Sequence, residues 1–152
     1  MSIAARLKEL EITLPDAPKP VANYVPAVRT GNLVYISGQV SSAGGESVKG
    51  TLGADVSLED GQNAARLSAL AILAQVNAAV GSLDKVKRIV KLGGFVACTP
   101  DFNQHPAVIN GASDLMVLVF GDKGMHSRFA VGVPSLPLGF AVEIDAVVEV
   151  ED

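Results

Sequence analysis

Residues 141–150 read AVEIDAVVEV, and this alternation decides the fold. Apolar side chains take every second position from Val142 to Val150, while Glu143, Asp145 and Glu149 stand between them. Successive side chains of a strand point to opposite faces of a sheet, so the stretch predicts a β-strand with one face on an apolar core. The other face of that sheet is either wet or packed against a neighbouring molecule.

Other segments of the chain also have the character of strands, at residues 25–28, 33–37, 86–99 and 128–133. The turn residues Gly31 and Asn32 join the first two segments into a predicted β-hairpin. The third segment is rich in β-branched residues, and its Gly93-Gly94 pair predicts a bulge.

Two long helices are predicted between these strands. The first begins at Ser57, whose hydroxyl can cap backbone N–H groups, and it ends at Gly81. The second begins around Asn103 and Pro106 and ends by Gly121. This order of elements predicts an α+β two-layer sandwich, in which a mixed β-sheet carries both long helices on one face.

The beginning of the chain, residues 1–22, is predicted to be a helix followed by a proline-rich tether. Apolar residues recur at helical spacing from Ile3 to Leu10. Three prolines at positions 15–20 then favour an extended backbone, because a residue before proline avoids the α-helical region. The remaining residues, 23–152, have the length of one domain.

Composition restricts the classes of function. Hydrophobic residues make up 49% of the chain and charged residues 18%, with a mean hydropathy of +0.36, which excludes a disordered chain. So many apolar residues in a small domain predict a homo-oligomer with a buried interface. The net charge of −4, the seven Phe and Tyr residues and the absence of Trp argue against a nucleic-acid partner.

The sequence also predicts a soluble, cytoplasmic protein with no membrane partner. A single cysteine, Cys98, allows no internal disulfide and fits a reducing compartment. The first residues are charged and lack the apolar core of a signal peptide. The longest apolar region, residues 67–80, is short for a membrane span and is interrupted by polar side chains.

Sequence motifs of several enzyme classes are missing. No G-x-S-x-G, P-loop or G-x-G-x-x-G motif follows a predicted strand. Asp101 and His105 stand four residues apart without a third ligand, so no metal site is expected. Cys98 stands among apolar residues with no electropositive neighbour in the sequence, and we interpret it as a small buried hydrophobic residue.

Ionisable residues within apolar strands are the informative candidates for a site. Arg128 opens one such strand, and its guanidinium suits a carboxylate ligand; an intramolecular ion pair or an edge residue reaching solvent are the alternatives. Glu143 can orient water or transfer a proton, or it can belong to a solvated acidic face. Tyr24 and Asn110 are polar candidates that can equally be ordinary hydrogen-bond partners.

These residues fall in motifs that resemble one known family. Residues 23–28 (NYVPAV) and 31–39 (GNLVYISGQ) resemble the opening of the RidA/YjgF family of reactive-intermediate deaminases. Arg128, followed after a Leu-Pro corner by residues 142–146 (VEIDA), resembles the closing signature of that family. Asn110 stands in the intervening helix, where family members carry an asparagine.

The resemblance implies a chorismate-mutase-like fold and a homotrimer with clefts between its subunits. It implies that Arg128 holds the carboxylate of the substrate and that Glu143 helps to place the hydrolytic water, without a cofactor. The other implied substrate-binding positions are Tyr24, Gly31, Asn110 and Ala130. Many deaminating members carry a cysteine where this chain has Ala130.

The implied activity is the hydrolysis of reactive 2-imino or enamino acids to 2-keto acids and ammonia at the intersubunit cleft. The implied partners are small imino or keto acids and further copies of this chain. Three rival functions stay open: a non-catalytic trimer that binds carboxylate metabolites through Arg128, a ribonuclease or translation inhibitor, and a purely structural role if the pocket is closed. The acidic charge balance and the few aromatic residues count against the second.

Overall fold

A computed structural model describes residues 1–19 and 22–152, which contain three α-helices, three short 3₁₀ helices and seven strands. The helices are α1 (Ile3–Glu9), α2 (Leu58–Val80) and α3 (His105–Phe120). The strands are β1 (Ala27–Thr30), β2 (Leu33–Val40), β3 (Ser42–Ala43), β4 (Glu46–Ser47), β5 (Val86–Ala97), β6 (Ser127–Val133) and β7 (Val142–Val150). The predicted strands and helices are therefore present, in the predicted order.

Five of the strands form one mixed sheet, in the order β1-β2-β7-β5-β6, and β3 and β4 form a separate short hairpin. In the larger sheet β5 and β6 are parallel, and the other neighbouring pairs are antiparallel. β7 lies at the centre of the sheet. Its alternate residues Val142, Ile144, Val148 and Val150 are fully buried, as the alternation predicts.

α2 and α3 pack together on the face of the sheet that carries these buried residues. Ser57 caps α2 by accepting a hydrogen bond from the Asp60 amide at 3.1 Å, and Gly81 ends the helix with a φ of 87°. α3 has Pro106 in its first turn and ends at Gly121. The predicted α+β sandwich is confirmed.

Among residues 1–19 and 22–152, no helix has the length and apolar character needed to cross a membrane.

The Gly93-Gly94 pair does not form the predicted bulge. The register of β5 against β7 shifts earlier in the strand, at two points between residues 86 and 91. A Cβ atom on Gly93 would lie 2.7 Å from the ring of Phe129, and one on Gly94 would lie 2.8 Å from the side chain of Ile109. These glycines therefore admit close neighbours on the two faces of the sheet, and the bulge prediction is wrong.

Neither long helix covers the second face of the sheet, which we call the outer face. Tyr35 on β2 and Phe129 and Val131 on β6 remain 46%, 36% and 42% exposed on this face. Exposed aromatic and branched side chains on one surface are typical of a contact with another chain. The surplus of apolar residues in the composition is therefore found on the outer face as well as in the core.

α1 and the tether lie against the domain. Arg6 on α1 donates a hydrogen bond from Nε to the Leu118 carbonyl at 2.9 Å, which fixes α1 to the end of α3. Farther along, the Pro18 carbonyl accepts a hydrogen bond from the Gln75 side chain on α2. Pro20, the last proline of the predicted tether, lies outside the described residues.

Candidate functional site

Arg128 points from β6 toward α3, where three oxygen atoms hold its guanidinium group. Nη1 donates to Oδ1 of Asn110 at 2.9 Å and to Oγ of Ser113 at 3.0 Å, and Nη2 donates to the Pro106 carbonyl at 3.2 Å. Residues three or four apart share one face of a helix, so α3 presents all three acceptors to β6. The structure thus brings together two of the sequence candidates, Arg128 and Asn110.

The guanidinium of Arg128 keeps the capacity to bind an anion. No carboxylate of residues 1–19 and 22–152 forms an ion pair with it, so an intramolecular ion pair is not its role within one chain. A guanidinium has five N–H bonds, and three of these are used by α3. The other two lie on Nε and Nη2, and a fork of two N–H donors suits a carboxylate.

A further pair of hydrogen bonds holds Ser113 in place. Nδ1 of His126 lies 2.6 Å from the Gly124 carbonyl, which can only accept, so Nδ1 carries a proton. In the neutral ring, Nε2 then accepts from the Ser113 hydroxyl at 2.8 Å, and the Ser113 oxygen accepts from Arg128. Sequence reasoning missed Ser113 and His126 at this site, because the connection from α3 to β6 separates them by 13 residues.

Ala130 lies two residues after Arg128 on the same face of β6, partly buried against the core, and offers no thiol. The one thiol of the chain, Cys98, lies just beyond the end of β5, with Sγ 3.4 Å from Nε2 of His105. Cys98 packs against the core, as interpreted from the sequence, but it is only partly buried and has an imidazole neighbour. Within the described residues, no three His, Cys, Asp or Glu side chains are grouped so that they could hold a metal ion.

Glu143 lies on the outer face of β7, in a cavity of about 360 Å³ whose walls include Tyr24, Gly38 and Leu138. Two of the sequence candidates, Tyr24 and Glu143, are therefore close together. Burial raises the pKa of the Glu143 carboxyl, and the negative charge of Asp145 raises it further. A raised pKa brings a carboxyl group closer to the range in which it exchanges protons at neutral pH.

The glycine beside Glu143 is Gly38, whereas Gly31 lies elsewhere. Gly31 forms the tip of the β1–β2 hairpin, with a φ of 58°, and it does not line the cavity. Gly38 lies against the Glu143 carboxylate, and a Cβ atom there would collide with Oε2. Gly38, which belongs to the same quoted motif, is therefore the glycine that lines this cavity, and a place for Gly31 in an intersubunit site stays a prediction.

Arg128 and Glu143 face opposite sides of the sheet. Arg128 is aligned with the buried Leu92 in the β5–β6 pairing, on the side of the helices. Glu143 is aligned with Phe95 in the β5–β7 pairing, on the outer face. Because β5 also stands between their strands, the two side chains cannot contact one small ligand within a single chain.

The raised pKa of Glu143 has a consequence for stability. The folded chain holds the Glu143 proton more tightly than the unfolded chain does, so this carboxyl lowers the free energy of unfolding as pH rises above its ordinary titration range. Glu143→Gln is therefore expected to raise Tm by about 1–2 °C at pH 7.

Thermal unfolding of both proteins from pH 3 to pH 8 measures this difference. The gain in Tm should shrink as pH falls and be absent below about pH 4, where the wild-type carboxyl is protonated in both states. A gain of the same size at every pH would show that the amide acts through packing and that ionisation of Glu143 has no part in it.

Comparison with known proteins identifies relatives along nearly the whole chain. A family model described as "YjgF/chorismate mutase-like, putative endoribonuclease" matches residues 4–149. Protein TCP17 of Trypanosoma cruzi is 48% identical over 153 residues, covering 99% of this chain and 95% of that protein. The 2-iminobutanoate/2-iminopropanoate deaminase of Dermatophagoides farinae is 31% identical over 140 residues, covering 92% and 95%.

A solved structure gives the same result for the fold. The crystal structure of protein Atu1372 from Agrobacterium tumefaciens is 51% identical and superposes with a TM-score of 0.91, covering 98% of this chain and 92% of that one. The family match includes all but the last residue of the central strand, both long helices and every candidate site residue. The chain therefore belongs to the YjgF/RidA family.

Proposed function

We propose that this protein hydrolyses 2-imino and enamino acids to 2-keto acids and ammonia. The observation that carries the proposal is the state of Arg128: α3 holds its guanidinium, no carboxylate of the described residues pairs with it, and two N–H bonds remain for a ligand. A relative with 31% identity is named 2-iminobutanoate/2-iminopropanoate deaminase, and its substrates carry the carboxylate that such a fork suits.

The proposed reaction needs little beyond positioning and proton transfer. The carbon of an imine is already electrophilic, so a placed water can attack it directly. As the new C–O bond forms, the electron pair of the C=N double bond shifts to the nitrogen, and one water proton moves to the Glu143 carboxylate and from there to the nitrogen. The remaining hydroxyl proton then follows the same route to the nitrogen, and the C=O bond of the keto acid forms. The C–N bond breaks, ammonia leaves, and the keto acid remains on Arg128.

The site is proposed to lie between two subunits. Arg128 and Glu143 face opposite sides of one sheet, so one substrate can meet both groups only where two chains come together. The exposed apolar side chains of the outer face, such as Tyr35 and Phe129, supply a surface for that contact. A closed ring of three subunits would repeat the same cleft three times.

A homotrimer is the expected species in solution. Sedimentation equilibrium at micromolar concentration should give three times the 15.7 kDa mass of one chain. Phe129→Lys places a charge on the outer face without touching Arg128 or Glu143, and it should shift the mass toward that of one chain. A wild-type monomer at these concentrations would be incompatible with an intersubunit site.

Imino acids made in situ by an amino-acid oxidase test the activity. The protein should increase the rates of ammonia and keto-acid appearance above the spontaneous rate in buffer, most strongly for small side chains. If neither rate rises, the deaminase proposal is wrong. In that case, binding of a 2-keto acid to Arg128 in calorimetry would support the alternative of a non-catalytic trimer that holds carboxylate metabolites.

A further inference from the structure

A second cavity lies where β5 and β6 end and α3 begins, apart from the cavity of Glu143. Its volume is about 650 Å³, and its walls include Cys98, Phe102, His105, Gly132 and Pro134. None of the side chains that line it is Asp, Glu, Lys or Arg. The cavity therefore suits a neutral and largely apolar molecule, which differs in class from the anionic acids proposed for Arg128.

Cys98 and His105 form a pair within this cavity. Sγ of Cys98 lies 3.4 Å from Nε2 of His105, and the ring of Phe102 packs edge-on against the imidazole with 5.4 Å between the ring centres. Gly132 on β6 leaves the space that the pair needs, because a Cβ atom there would lie 2.6 Å from Sγ and 2.5 Å from Nε2. Three separate segments of the chain thus converge on the two groups.

The chemistry of the pair depends on the thiol proton. Burial raises the pKa of the Cys98 thiol, so the sulfur is protonated at neutral pH. The thiolate is the nucleophilic form of cysteine. A protonated thiol therefore needs a base within hydrogen-bonding distance that can take its proton. Nε2 of His105 is in that position.

We propose that Cys98 is a nucleophile for neutral α,β-unsaturated carbonyl compounds held in this cavity, with His105 as its base. Sγ forms a bond to the β-carbon, and the electron pair of the double bond shifts toward the α-carbon. The thiol proton moves to Nε2 of His105 and from there to the α-carbon. The net change adds S–H across the double bond, so no oxidant or reductant takes part.

Cys98 is the only cysteine of the sequence, so every thiol adduct must form at the residue that lines this cavity. N-ethylmaleimide is the probe, and intact mass gives the second-order rate of adduct formation at pH 7. The folded protein should react about tenfold faster than the same chain unfolded in urea. His105→Gln should lower the rate of the folded protein by about tenfold to a hundredfold. Lys123→Gln, three residues beyond the other end of α3, is the matched control and should keep the wild-type rate.

A second variant tests whether the reaction requires the contact between Cys98 and His105 or only the presence of both residues. Gly132→Ala keeps both groups but places a methyl between them, so the rate should fall about tenfold in a chain whose circular dichroism is unchanged. Iodoacetate, an anionic reagent, should show a smaller ratio of folded to unfolded rate than N-ethylmaleimide. A folded chain that reacts no faster than the unfolded one, or a His105→Gln variant with the wild-type rate, would overturn the proposal.

Discussion

Arg128→Lys is expected to lower kcat/KM for imino-acid hydrolysis by about thirtyfold to a thousandfold. An ammonium group is a point charge with one nitrogen, so it cannot keep the bonds to Asn110 and Ser113 while it spans both oxygens of a carboxylate. The corresponding loss is about 2–4 kcal/mol of transition-state binding. Steady-state release of keto acid and ammonia from folded protein measures it.

Arg29→Lys is the matched control for this change. Arg29 on β1 donates hydrogen bonds to the backbone carbonyls of Gly31 and Glu151, remote from the proposed chemistry. Its replacement should leave kcat/KM within about twofold of the wild-type value, as is usual for surface substitutions. If Arg128→Lys is as active as Arg29→Lys, Arg128 is not the carboxylate anchor and the assignment of the reaction fails with it.

Glu143→Gln is expected to lower kcat by about a hundredfold to ten-thousandfold, the usual contribution of a positioned base. An amide has nearly the shape of a carboxylate but accepts no proton at neutral pH. Because Arg128 is the proposed anchor of the substrate carboxylate, the dissociation constant for a 2-keto acid should change little. Turnover assays and calorimetry on the same preparation give the two values.

Asp145→Asn is the control on the same face of β7, and it also tests the electrostatics. Glu143 acts as a base only when it is ionised, so kcat should fall as pH falls through its raised pKa. Removing the neighbouring charge of Asp145 lowers that pKa, and the acidic limb of the pH profile should move to lower pH. Full turnover by Glu143→Gln, or an acidic limb that does not move, would contradict the assigned role.

The parts of the fold that depend on local pattern could be predicted from the sequence. Alternation along β7 gave its buried face, and Ser57 and Gly81 gave the limits of α2, because a strand period, a helix cap and a left-handed glycine are properties of neighbouring residues. The bulge prediction for Gly93-Gly94 was wrong because these glycines make room for side chains from distant segments of the chain. Such contacts cannot be predicted from the neighbouring residues alone.

The candidate site divides in the same way. Arg128 and Glu143 were predicted as candidates because they are ionisable residues in apolar strands. The structure assigns them to opposite faces because Arg128 is aligned with Leu92 of β5 and Glu143 with Phe95, which point to opposite sides of the sheet. Ser113 accepts a hydrogen bond from Arg128, and His126 holds Ser113 in place. Neither could be predicted, because both interactions depend on how α3 packs against β6 and the segment before it. The pairing of Cys98 with His105 likewise depends on how the chain turns from β5 into α3.

The placement of Arg128 and Glu143 on opposite faces means that two inactive proteins should complement each other. An Arg128→Ala chain still carries Glu143, and a Glu143→Gln chain still carries Arg128. When equal amounts are unfolded and refolded together, about one cleft in four of a randomly assembled ring receives both intact groups. Neither variant refolded alone contains such a cleft. Activity recovered only in the mixture would therefore show that residues from two chains form one active site.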